Sequence, residues 1–135
     1  VSNLATVSRY VGQTLAPGQP VPPEVARLSV EEVVARARRG DARATTALLS
    51  TAHYLGLGLA SIVNALDPDR LYIGGEICAA WDLVEPTVRA ALAQRVLVAA
   101  AADVKIVIVA AQEHPRLRGA SALVGAPLLG AQPLA

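Results

Sequence analysis

Apolar positions along this 135-residue chain follow a helical period first and an extended one later. Leu4, Val7, Ser8 and Val11 share one helix face, and Gly12 closes that element. Pro17, Gly18, Pro20, Pro22 and Pro23 then forbid a regular element, so residues 13–28 read as a proline-rich loop within the domain. Ser29-Val30-Glu31-Glu32 has the form of a capping box, in which Ser29 and Glu32 satisfy each other's amides. Val30, Val33, Val34 and Ala37 form the apolar face behind it, and Gly40 ends the helix. Asp41 is the next N-cap, opening the longest helix, residues 42–66, which is apolar nearly all round beyond Ala47. Gly56 and Gly58 lie inside it. Each costs about 1 kcal/mol against alanine, so close packing or backbone approach is expected there.

The period then shortens. Asp67-Pro68 ends the long helix, and Leu71-Tyr72-Ile73 runs into Gly74-Gly75, the pattern of a buried strand with two glycines at its carboxyl end. In open α/β sheets that edge is where ligands bind. A helix over residues 82–97 follows, with Asp82 as N-cap and Pro86 in its first turn. Glu85 and Arg89 make an i,i+4 pair, and Leu83, Val84, Val88, Leu92 and Val96 supply the stripe. Ala99 to Ala102 lead to a second strand over residues 104–109, which its apolar run marks as covered on both faces. Strand, helix and strand at this spacing predict a crossover unit with parallel strands. Residues 110–118 read as a loop, Gly119-Ala120-Ser121-Ala122 begins a small-residue helix, and residues 125–135 form a tail.

Composition narrows the function classes. Hydrophobic residues make up 53% and aromatics only 3%, so alanine does the filling and helices must pack closely. A net charge of +1 implies no strong field toward nucleic acid or membrane. The Arg36, Arg38 and Arg39 cluster suits a helix C-terminus and a solvated face. The most apolar uncharged stretch, near residues 53–66, is too short for a membrane span, and no signal peptide opens the chain. The single cysteine, Cys78, excludes an internal disulfide and fits a cytoplasmic location. It reads as an inert, partly buried thiol. With no methionine present, the chain is expected to begin downstream of the true N-terminus. His53 has no second metal ligand at a useful helical offset, and Glu113 and His114 read as ordinary loop charges. Catalytic residues and a metal site are therefore both expected to be absent.

The run NALDPDRLYIGGE, followed by DLVEPTVRAAL, KIVIVAA and RLRGASALV, resembles the C-terminal end of the ROK family of repressors, open reading frames and sugar kinases. The similarity covers about residues 41–125, and residues 1–12 resemble the helix that follows the family's cysteine cluster. The resemblance implies an α/β fold: part of the second lobe of an actin-like, ribonuclease H-like ATPase, helix-rich with at least two parallel strands. It also aligns Gly74 and Gly75 with the glycine pair that lies against the nucleotide in the family's kinases. Those kinases usually continue with another glycine, whereas this chain has Glu76, a carboxylate that would repel phosphates. The pair is accordingly read as a vestigial nucleotide site, or as a structural turn.

Two functions stay open on this reading, beside a blander third, a degenerate remnant kept as an oligomerising domain. One is the effector-sensing and dimerising part of a sugar-responsive transcriptional regulator. DNA would then be contacted through an N-terminal winged-helix domain outside these residues, with a sugar as effector and no cofactor. The other is the C-terminal lobe of an ATP-dependent sugar kinase, with ATP and magnesium as cofactors. The family's phosphate motif and catalytic aspartate have no counterpart in the 135 residues, and Glu76 with the missing cysteine cluster weighs against the kinase and favours the regulator.

Overall fold

Five helices and a two-stranded parallel sheet form the fold in a computed structural model that describes residues 3–15 and 18–109. They are α1 (Asn3–Val11), α2 (Pro23–Ala26), α3 (Val30–Arg38), α4 (Ala42–Leu66), β1 (Arg70–Gly74), α5 (Trp81–Ala93) and β2 (Lys105–Val109). Two 3-10 turns, Glu76–Ala80 and Ala99–Asp103, bracket α5. The loop and helix expected beyond residue 110 lie outside the described residues.

The centre is α4. Asp41 caps it as expected, its carboxylate accepting from the amides of Arg43 at 2.9 Å and Ala44 at 3.1 Å. Asp67 ends it in the left-handed conformation (φ 43°), and Pro68 prevents continuation. Its 25 residues are long and apolar enough to cross a membrane, more than the residue 53–66 stretch suggested. Ala44, Leu48, Ala52, Leu59 and Val63 are instead buried in the common core, against α1, α3 and α5. Alanine at so many of these positions lets the neighbouring axes come close. The two glycines of α4 behave differently. A Cβ at Gly56 would sit 2.7 Å from the Ala91 Cβ of α5, whereas one at Gly58 would meet nothing within 4 Å. Close packing therefore explains Gly56 and not Gly58.

Several local expectations change. Residues 13–28 are not loop throughout: Pro23 opens α2, where its fixed φ and missing N–H suit the first helical position. Val25 pins this short helix into the core at 2% exposure. The capping box is half formed. Ser29 Oγ accepts from the Glu32 amide at 3.1 Å, but the Glu32 carboxylate turns to Arg36 at 2.6 Å, because the i,i+4 cation is the stronger partner. Asp82 does not cap α5, which starts one residue earlier at Trp81 with no side-chain cap. Its carboxylate is held by Arg38, so Pro86 falls in the helix interior instead of the first turn. α5 also stops at Ala93, short of residue 97.

The strands pair parallel as expected, with Leu71 opposite Ile106 and Ile73 opposite Ile108. Leu71 and Ile73 face the core, while Tyr72 between them is 65% exposed. Buried and exposed residues alternate along β1, and residues 106–109 of β2 are all half-buried, so the expected burial on both faces is not reached among the described residues.

Candidate functional site

The carboxyl end of β1 is where the glycine pair lies. Gly74 is the last residue of the strand, opposite Val109 and exposed at the sheet end. Gly75 follows with φ 112° and ψ 176°, a backbone conformation that side chains disfavour. A Cβ there would meet no atom within 4 Å, so its glycine serves the turn and not close packing. The Gly75 carbonyl accepts from the Cys78 amide at 3.1 Å, which closes the first turn of the 3-10 segment. The Cys78 thiol donates to the Ile73 carbonyl at 3.4 Å, folding the turn back onto the strand. Burial pushes this thiol up from its ordinary pKa, as expected of an inert cysteine.

Arg38 at the end of α3 anchors the turn from outside. Its guanidinium donates to both carboxylate oxygens of Asp82, at 2.8 and 3.1 Å, and to the Ala79 carbonyl at 3.0 Å. These bonds hold the Asp82 carboxyl below the usual carboxylate range. Two of the cluster's arginines are therefore structural, since Arg36 bridges Glu32 and the Tyr10 hydroxyl. Tyr10 in turn donates to Asp41 at 3.0 Å, and the guanidinium groups of Arg36 and Arg43 lie 5.3 and 5.8 Å from its ring centre. This Tyr10 hub ties α1, α3 and α4 together, and helical periodicity in α1 gave no hint of it.

Asn64, the first residue of the NALDP run, has an equally hidden role. Its side-chain amide donates to the Arg95 carbonyl and accepts from the Leu97 amide, both at 2.9 Å. It thereby clamps the chain leaving α5 onto the end of α4, so the connection to β2 is fixed from the far side of the crossover.

Chemically, the turn offers exposed backbone and little else. Glu76 opens the 3-10 segment half-buried, with no ion pair among the described residues. Arg38, the cation bonded to this turn, is committed to Asp82. Phosphate binding at such an edge needs donors and positive charge, whereas these residues place a carboxylate next to the glycines. His53 is exposed on α4 beside Tyr54, their rings 5.7 Å apart. No three His, Cys, Asp or Glu residues converge among the described residues. Glu113 and His114 lie outside them.

Comparison with known proteins agrees with this architecture. The profile of the ROK family matches residues 2–126. A glucokinase of Halalkalibacterium halodurans is 37% identical over 60 residues, which cover 44% of this chain and 18% of the glucokinase. A crystal structure from Cytophaga hutchinsonii, described as that of a "putative sugar kinase", superposes with a TM-score of 0.55 at 26% identity. That superposition covers 62% of this chain and 28% of the other. The chain thus spans less than a third of either relative, and what it shares with them is a kinase-like fold.

Proposed function

The chain belongs to the ROK family, and from that premise we propose that it is the C-terminal part of the second lobe of a sugar-sensing, dimerising domain in a transcriptional regulator of that family. The observation that carries this reading is Glu76. It follows the glycine pair directly and is half-buried in the turn where a kinase would receive phosphates. Positioning and charge stabilisation are nearly all that a protein contributes to phosphoryl transfer. A carboxylate at that spot opposes both. The domain would then bind sugar without spending a nucleotide and pass the change to a DNA-binding segment outside these residues. Its alanine-rich helices offer surfaces for a homodimer.

The second reading is the corresponding lobe of an ATP-dependent sugar kinase, and the names of both relatives favour it. On that reading Gly74 and Gly75 would lie against the nucleotide. The full-length protein distinguishes the two. Specific binding to DNA of its own promoter region, released by a sugar, is expected of the regulator. Sugar phosphorylation with no DNA binding would refute it.

A further inference from the structure

Two adjoining grooves, of about 580 and 450 Å³, lie between the C-terminal end of α1 and the N-terminal half of α4. They share Arg9, Gln13, Thr14 and Ser50, and Arg43 and Thr46 complete the larger one. Among the described residues no aspartate or glutamate lines either groove. Neither arginine belongs to an ion pair among the described residues, yet both are held in place. Arg9 donates to the buried Thr51 hydroxyl at 3.1 Å and lies 4.9 Å from the centre of the Tyr54 ring. Arg43 donates to the Tyr10 carbonyl at 3.0 Å.

Carboxylates do come near the rim, but they are engaged. Glu24 accepts from the Gln13 amide at 2.7 Å, and Asp41 is taken up by the Arg43 and Ala44 amides and the Tyr10 hydroxyl. The Thr46 hydroxyl is turned back to the Ala42 carbonyl, which leaves those of Thr14 and Ser50 as further donors. Each guanidinium carries five N–H donors in a planar fork, and the described bonds use one from each. Two positioned forks without a matching carboxylate suit an oxyanion with several acceptor oxygens.

We infer that the α1–α4 groove binds a phosphate monoester through Arg9 and Arg43. Its size is that of small-ligand sites, roughly 300–1,000 Å³, and exceeds what a bare phosphate fills. The inference is independent of whether the Gly74–Gly75 turn takes a nucleotide, since the two places share no lining residue.

The test is a calorimetric titration of the full-length protein with inorganic phosphate and, separately, with a hexose 6-phosphate at constant ionic strength. Saturable binding of the hexose phosphate is expected, weakened by added salt. Tighter binding of the ester than of inorganic phosphate is expected, and equal affinities would overturn the monoester. Arg43→Gln, at an exposed position, should weaken either ligand about tenfold. Arg9→Lys, which keeps the charge and loses the fork, should weaken it too. Arg27→Gln, exposed and not among the lining residues, should leave it unchanged. The inference is overturned if neither ligand saturates at about 10 mM, or if Arg43→Gln leaves both affinities as they were.

Discussion

Substituting alanine for Gly56 and for Gly58, two residues apart on α4, should move stability in opposite directions. Both changes gain about 1 kcal/mol of helix propensity. At Gly58 nothing opposes that gain, because the new methyl meets no atom within 4 Å. At Gly56 the methyl would lie 2.7 Å from the Ala91 Cβ and 3.2 Å from the Leu92 nitrogen, and it would overlap the Val88 carbonyl oxygen. Two of these three obstacles are backbone atoms, which cannot rotate away. Relief requires α5 to move off α4 at the crossing, loosening Val84, Val88 and Leu92, all fully buried. Overpacking of this kind costs about 1–3 kcal/mol, and a backbone clash belongs at the upper end. The net expectation is about 2 kcal/mol of destabilisation for Gly56→Ala and about 1 kcal/mol of stabilisation for Gly58→Ala. Urea unfolding of the full-length protein, followed by circular dichroism, reads both. With a slope near 2 kcal/mol/M, the two midpoints should separate by roughly 1.5 M. Equal midpoints, or a stabilised Gly56→Ala, would refute the packing argument at this crossing.

Three further predictions concern single contacts. Asp41 is held below its ordinary pKa by the Ala44 amide first, helped by Tyr10, the Arg43 amide and Arg36 and opposed by desolvation. A depressed carboxyl stabilises the fold above its unfolded pKa and loses that contribution as pH falls through the folded one. Asp41→Ala should therefore be less stable than the parent at neutral pH, with the gap closing below about pH 3.8; a gap that is constant with pH in thermal melts would count against this. Asn64→Ala should cost about 1 kcal/mol, the low end for two lost bonds at an exposed clamp. Hydrogen exchange at the Leu97 amide should speed up in that variant, and unchanged exchange would remove the clamp from the account. Cys78, with its thiol pushed up by burial, should be alkylated more slowly at neutral pH than a small free thiol; an equal rate would mean the thiol is open.

Much of this fold can be read from the sequence because its signals are local. Asp41, the apolar run from Ala47, and Asp67-Pro68 place α4 to the residue, and β1 and β2 follow from short apolar runs bounded by glycine, alanine and proline. What stays hidden depends on partners distant in sequence. Asp82 is a good N-cap by local rules, but Arg38 lies 44 residues away and takes its carboxylate. Tyr10 reaches Asp41 across 31 residues, and Asn64 reaches Leu97 across 33. The proline-rich stretch hid α2 because proline breaks helices in their interior and opens them at the first position. At the candidate site, Gly74, Gly75 and Glu76 lie where the apolar run ending in two glycines put them, at the carboxyl end of β1. Their reason differs in part: Gly75 answers a positive φ and not a crowded approach.

Titration of the full-length protein with ATP and magnesium tests the proposal that Glu76 keeps phosphates away from this turn. No saturable binding is expected, with or without sugar present. Saturable, magnesium-dependent ATP binding accompanied by sugar phosphorylation would contradict it, and would make Gly74 and Gly75 nucleotide contacts in a working kinase.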